Sequence, residues 1–390
     1  MKNKYLLAIS MLFLLASCGS PVDSTTSDGA STSHDTSTST TTDVASTSED
    51  SSTTESSSSE ESSTTEISSS EESSSSSESS TIEETSTSED SSTSSDSSTS
   101  ESTSSSEVEE PVVDKPGAKP ELSSDGKTLT YGLYPQTYVS DETLIGVFNK
   151  LTTTNASGWY LHNDTYYAKR TAKTYSTAYT FESGKTIVQG ETYWFECKPI
   201  TWNVLSNNNG DCFVLSSLLL DTHNFYNKYD NRKIDGKTVY ANNYEHSDIR
   251  TWLNDDFYNA AFVLNKSYIQ ETTVDNSAAT TNNATNQYAC RDTVDKVFLP
   301  SYQDYINADY GFLAKNDLSD TRVALVSDYA RANGAACRNA TTYYGSYWTR
   351  SADSSYNEYA TAVGDWGQFM FTSVALEADC VRPCMNIKIS

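Results

Sequence analysis

Apolar and polar positions divide this chain into three stretches. Residues 5–15 are an apolar run, the length of a secretory signal core and too short to cross a bilayer. From residue 19 to about 110 nearly every position is Ser, Thr, Glu or Asp, and Ile67, Ile82 and a few valines are almost the only bulky apolar side chains. From about Glu121 regular periods appear. Alternation predicts strands over 128–134, 198–205 and 212–218, and Asn207-Asn208-Asn209-Gly210 is a turn signal joining the last two into a hairpin entered at Pro199. Ser247 is an N-cap, and Ile249, Trp252, Leu253 and Phe257, continued by Ala260 and Ala261, fall on one helical face. That face assigns Trp252 to packing and places Asp248, Asn254 and Asp255 away from the core.

Two weaker helical signals follow. Ser301 with Asp304 three residues on resembles a capping box, and 321–333 ends at Gly334. Residues 276–286 read as a loop. Val381, Pro383, Met385, Ile387 and Ile389 share one parity, which predicts a terminal strand buried on one face. The fold class expected is α+β, with antiparallel sheets and two or three short helices.

Composition sharpens these divisions. The formal net charge is -27, yet residues 19–114 hold 23 Asp and Glu and no Lys or Arg, while residues 115–390 carry a net charge of only -6. Nucleic acid is therefore not an expected partner, since it needs a basic surface. The Ser/Thr/acidic stretch cannot bury enough apolar surface to offset its ordering entropy, so it reads as a solvated spacer. Its r.m.s. span as a flexible coil is roughly 55 Å. All six Trp, and every Tyr except Tyr5, lie beyond residue 120.

Lys2 and Lys4 precede the apolar run, and Leu15-Ala16-Ser17-Cys18 follows it. This arrangement resembles the lipobox of bacterial lipoproteins, which implies cleavage before Cys18 and a lipid on its thiol. The expected organisation is a signal peptide over 1–17, a lipidated Cys18 and acidic stalk over 18–120, and a folded domain over 121–390. The partner expected at the N-terminus is the cell membrane, reached through the lipid, with the domain on the extracellular face.

Six cysteines remain: Cys197, Cys212, Cys290, Cys337, Cys380 and Cys384. In an exported domain they are disulfide candidates with fifteen possible connectivities. On one continuous strand Cys380 and Cys384 would stand roughly 13 Å apart, beyond the ~7 Å Cα separation of a disulfide. No CxxC pair, HExxH or histidine cluster occurs, so neither a metal nor a cofactor is expected. His162, His223 and His246 lack an accompanying nucleophile motif.

Several collinear segments carry a resemblance. They are Tyr131-Gly132-Leu133-Tyr134-Pro135-Gln136, Trp159-Tyr160-Leu161, Tyr193-Trp194-Phe195 and Lys198-Pro199-Ile200-Thr201-Trp202. Ser247-Asp248-Ile249-Arg250-Thr251-Trp252-Leu253-Asn254, Val297-Phe298-Leu299-Pro300-Ser301, Trp348-Thr349-Arg350-Ser351 and Val381-Arg382-Pro383 follow. Over 128–390 the chain resembles a family of bacterial surface proteins described as domain of unknown function 6273. It departs from the family pattern at Cys380 and Cys384, which replace Gly and an apolar residue, and at Ser327-Asp328-Tyr329-Ala330, where Thr is usual. The Trp348 and Val381 segments are also similar to the C-type-lectin-like fold, in the branch that includes formylglycine-generating enzymes. That similarity implies ligand presentation between those two segments, and there lie Asp353, Tyr356, Tyr359, Asp365, Trp366 and Gln368, flat aromatic faces beside polar groups. In the enzyme branch a C-terminal cysteine pair binds copper, which makes Cys380 and Cys384 the pair to inspect.

The reading that follows is a lipid-anchored surface protein whose lectin-like α+β domain binds an extracellular glycan or protein. Two alternatives are an extracellular enzyme on the formylglycine-generating-like fold and a structural envelope protein without a specific ligand. No catalytic residue is singled out.

Overall fold

The computed structural model describes residues 115–389 except Thr341. The signal peptide, Cys18 and nearly all of the stalk lie outside the described residues. The folded part begins earlier than composition indicates. Residues 115–120, assigned above to the stalk, pack onto the domain: Ala118 is buried, and the Gly117 carbonyl accepts from the Gly132 amide at 2.9 Å.

The chain opens with β1 (Glu121–Leu122) and β2 (Thr128–Tyr138), then α1 (Glu142–Phe148), β3 (Tyr160–His162), β4 (Thr165–Thr171), β5 (Thr192–Asn208) and β6 (Asp211–Ser216). Short strands β7 (Leu218–Leu219) and β8 (Asp221–Thr222) follow, then the hairpin β9 (Arg232–Ile234) and β10 (Lys237–Val239). A helical stretch runs through α2 (Asp248–Trp252), a π turn (Leu253–Phe257) and α3 (Tyr258–Ala261). Beyond it come β11 (Thr272–Val274), β12 (Thr293–Asp295), β13 (Leu325–Val326), α4 (Asp328–Ala332), β14 (Tyr347–Ala352), β15 (Tyr359–Val363), β16 (Phe369–Ser373), β17 (Cys380–Val381) and β18 (Cys384–Lys388). The result is α+β, mostly sheet with few short helices.

Two sheets dominate. In the first, the strand order is β1-β2-β5-β4-β3, and the far end of the long β5 pairs with β6, which pairs with β18. The second runs β16-β15-β14-β17-β8, with β14 and β17 parallel. The expected hairpin is β5–β6. Asn209 and Gly210 take φ of 54° and 91°, the left-handed pair that a two-residue turn requires. Register shifts in β2 fall between Thr130 and Leu133, around Gly132, and between Pro135 and Thr137. Gly132 has φ 75°, and a Cβ there would meet the Phe262 ring at 2.7 Å, so this bulge admits only glycine. Inside, Trp202 and Trp348 are fully buried, and each indole N–H finds a carbonyl, that of Tyr131 (2.8 Å) and of His223 (2.7 Å).

The predicted first helix exists, capped by the Ser247 hydroxyl, which accepts from the Arg250 amide. It has a feature that periodicity did not convey. Ile249, Leu253, Phe257 and Ala261 are all buried and recur every four residues. A 3.6-residue helix would rotate such a row by about 40° per repeat, and the π turn absorbs that drift. Trp252 and Asp256, also four apart, are left on the neighbouring side, so Trp252 is only partly buried. Asn254, read as facing away, clamps the chain instead: its Nδ2 donates to the Val297 carbonyl (2.9 Å) and its Oδ1 accepts from the Lys296 amide (2.8 Å).

The other helical expectations are shortened. Ser301 and Asp304 do exchange capping hydrogen bonds, but around single 3-10 turns at Asp304–Ile306 and Ala308–Tyr310. The helix expected over 321–333 is α4 alone, because Leu325 and Val326 pair with β7 first; it stops before Gly334, at φ 106°. Within α4, Arg331 and Asp328 form a buried ion pair at 2.6 Å, and Asp328 also accepts from the Tyr138 and Glu182 amides.

The terminal strand is corrected most. It breaks at Arg382-Pro383, where proline supplies no N–H to a ladder. β17 joins the second sheet and β18 the first, so residues of both parities are buried, Cys380, Val381, Cys384, Met385 and Ile387 among them.

Candidate functional site

The six residues singled out between the Trp348 and Val381 segments do not converge. Asp353 is fully buried, and its Oδ1 accepts from the amides of Ser355 (3.0 Å) and Tyr356 (2.7 Å), closing a turn. Tyr356 is exposed and meets Tyr359 edge-on at 5.9 Å. These three sit at the start of β15. Asp365, Trp366 and Gln368 form the turn at its other end, about 13 Å along the strand. There the Arg338 guanidinium lies 3.6 Å over one face of Trp366 and donates to the Asp365 carbonyl. Burial raises the Asp365 carboxyl, and Arg338 opposes that shift. Gln368 accepts from the Gly364 amide at 2.7 Å. Each group does local structural work, and the exposed face of Trp366 is not joined by a second aromatic wall.

A large cavity lies elsewhere, between the first sheet and the π-containing helix. It holds about 710 Å³, with Tyr134, Trp159, Arg170, Asp221, Trp252 and Tyr329 among its walls, and Asp256, Asn259 and Lys266 along the helical side. Its aromatics are arranged edge to face: Tyr134 stands 6.1 Å from Trp159 at 83° and 5.9 Å from Tyr329 at 90°. Phe257 packs 5.1 Å from Tyr134 and 5.4 Å from Trp252.

A polar network fixes one wall. The Tyr134 hydroxyl donates to Asp221 Oδ2 at 2.6 Å, and Asp221 Oδ1 accepts from Asn333 Nδ2 (2.6 Å) and the Thr222 amide (2.8 Å). Arg170 stacks on Tyr329, 5.1 Å from the ring centre, and donates from Nη2 to its hydroxyl at 2.8 Å. Burial, reinforced by Asp221, pushes the phenols of Tyr134 and Tyr329 well above their ordinary range, so both remain neutral donors. Flat apolar faces beside fixed hydroxyl, amide, carboxylate and guanidinium groups suit a polar ring compound such as a sugar.

A second cavity, about 370 Å³, gathers Glu245, His246, Cys290 and Arg291. Glu245 is paired with Arg291, and His246 Nε2 lies 3.7 Å from Glu245. Burial pushes the Cys290 thiol up to about 11, which leaves little thiolate at neutral pH, the opposite of what a nucleophilic cysteine needs.

The six cysteines are free thiols in the structure. Cys380 and Cys384 lie in different sheets, and the Cys384 thiol donates to the Phe298 carbonyl at 3.2 Å. Burial raises both thiols. Among the described residues no cluster of His, Cys, Asp and Glu could hold a metal ion, and no helix is long and apolar enough to cross a membrane.

Residues 209–389 match the family model described as Domain of unknown function (DUF6273). The matched stretch holds β6 through β18 and contributes Asp221, Trp252 and Tyr329 to the large cavity. Tyr134, Trp159 and Arg170 come from before it. No curated protein and no solved structure matches the chain.

Proposed function

We propose that this protein is a lipid-anchored bacterial surface protein whose domain binds an extracellular glycan in the cavity between β2, β4, β8 and the π-containing helix. The lipobox-like Leu15-Ala16-Ser17-Cys18 and the acidic Ser/Thr stretch supply the anchor and the spacer. The observation that carries the binding reading is the meeting of Trp159 and Trp252 with Tyr134, Asp221 and Arg170 in one open cavity of about 710 Å³. Aromatic rings cover the apolar faces of a sugar, while hydroxyl and charged groups bond its edges. A C-type-lectin-like kinship belongs to the same proposal. Its support is the Trp348-Thr349-Arg350-Ser351 pattern on β14 and the parallel pairing of β14 with β17 beside Val381-Arg382-Pro383.

The test is a glycan array probed with the full-length protein and two variants. A specific hit should be lost in Trp252→Ala and kept in Trp366→Ala. Loss in Trp366→Ala alone would return the site to the β15–β16 turn, and a blank array with folded protein would overturn the glycan reading.

A further inference from the structure

Arg170 lines a second cavity as well as the large one. This smaller space, about 190 Å³, is lined by Arg170, Lys173, His223, Asn224, Asn333 and Glu377. The chain from Asp221 to Asn224 divides the two: Asp221 faces the large cavity, and Thr222, His223 and Asn224 the small one. His223 also packs 5.2 Å from Trp252, so the spaces adjoin through a second pair of rings.

Two buried donors at this wall have no acceptor, Arg170 Nε and Asn224 Nδ2. The Arg170 Nη2 is already engaged by Tyr329. Among the described residues, neither Arg170 nor Lys173 has a carboxylate within ion-pair distance. Asp221 is the buried carboxylate whose charge Arg170 feels, but its oxygens are occupied by Tyr134, Thr222 and Asn333. Glu377 is exposed. Unsatisfied buried donors are costly, and a guanidinium N–H and an amide NH₂ on residues that line one cavity suit an anionic group with several acceptor oxygens.

We propose that the small cavity receives an anionic oxygen group, a carboxylate or a phosphate ester, carried by the sugar that occupies the large cavity. This rests on the glycan reading above and narrows it to acidic sugars. The ring would lie against Trp159 and Trp252, and its acidic substituent would reach past Arg170 to Asn224 and Lys173.

The experiment is an NMR titration of ¹⁵N-labelled full-length protein with glucuronate, methyl glucuronate and glucose 6-phosphate. The Arg170 Nε–H signal reports the small cavity, and the Trp159 and Trp252 indole N–H signals report the large one. Glucuronate should move all three, whereas the methyl ester should move the indoles alone. Glucose 6-phosphate moving Arg170 more than glucuronate does would assign the group as phosphate. Lys173→Met, at an exposed position, should weaken the acid about threefold to fivefold and leave the ester unchanged. Identical responses to acid and ester would overturn the anionic subsite and leave the glycan reading standing. Arg170 moving without the indoles would do the reverse, and silence at all three signals would remove both.

Discussion

The Tyr134 hydroxyl on β2 donates to the Asp221 carboxylate on β8 at 2.6 Å, joining the two main sheets beside the large cavity. Asp221 takes two further donors, from Thr222 and Asn333. Tyr134→Phe should therefore lower stability by about 1 kcal/mol, and Asp221→Ala, which strands three donors, by about 2–3 kcal/mol. The double variant should lose less than the sum, because both changes remove the same bond. Urea unfolding measures all three. A neutral Asp221→Ala would mean that this network does not hold the sheets together.

The Arg331–Asp328 pair tests how α4 is fastened. Both side chains are almost fully buried, and Arg331 also donates to the Thr180 carbonyl at 2.9 Å and stacks 3.8 Å over Tyr343. Arg331→Met leaves a buried carboxylate without its cation and should cost about 3–5 kcal/mol in denaturant melts. A loss under about 1 kcal/mol would show that the backbone amides of Tyr138 and Glu182 suffice for Asp328.

Asp379 gives a pH signature. Its carboxyl is buried beside the Ser346 hydroxyl, and burial raises it to about 6. The native state thus holds a proton that the unfolded chain releases near pH 4, so this group's contribution is full below pH 4 and is lost as pH rises to about 6. The size is about 3 kcal/mol for a shift of this order. Asp379→Asn should flatten that fall. Thermal melts at steps between pH 4 and 7 decide the matter, and parallel pH profiles for wild type and variant would refute it.

Cys290 separates binding from thiol catalysis. With its thiol pushed up to about 11, iodoacetamide labelling at pH 7 should run on the order of a hundredfold slower than for a free cysteine. Mass spectrometry of the peptide containing Cys290 reads the rate. Fast, His246-dependent labelling would instead revive a nucleophilic role.

What could be read in the residue order was local. Asn209-Gly210 specified its turn, and Ser247 its cap, because each signal acts within a few positions. The large cavity was not readable, since its walls come from β2, β4, β8, α4, the segment before β3 and the helix, brought together only by sheet order. Trp252 was assigned to the core because a strict 3.6 period places it with Ile249 and Leu253. Trp252 does pack against the core, on His223 and Phe257, and the i, i+4 spacing of the four buried residues is the sign of the π turn that leaves it partly exposed. Tyr356 and Trp366 drew attention by being aromatic in polar loops, yet a five-residue strand holds them apart. In the terminal segment alternation concealed a change of sheet, and Pro383 was the residue that marked it.

That change of sheet sets an order of events. β17 and β18 complete one sheet each, pairing with β14 and β8 on one side of Arg382 and with β6 on the other. They are also the last described elements to leave the ribosome, and β18 contacts a strand about 170 residues earlier. Each sheet therefore lacks a strand until residues 380–388 arrive: β18 adds an edge to the first, and β17 links β8 to β14 in the second. The strand crossing at Arg382-Pro383 thus leaves β8 without its strand partner and one edge of β6 open until residues 380–388 have been made.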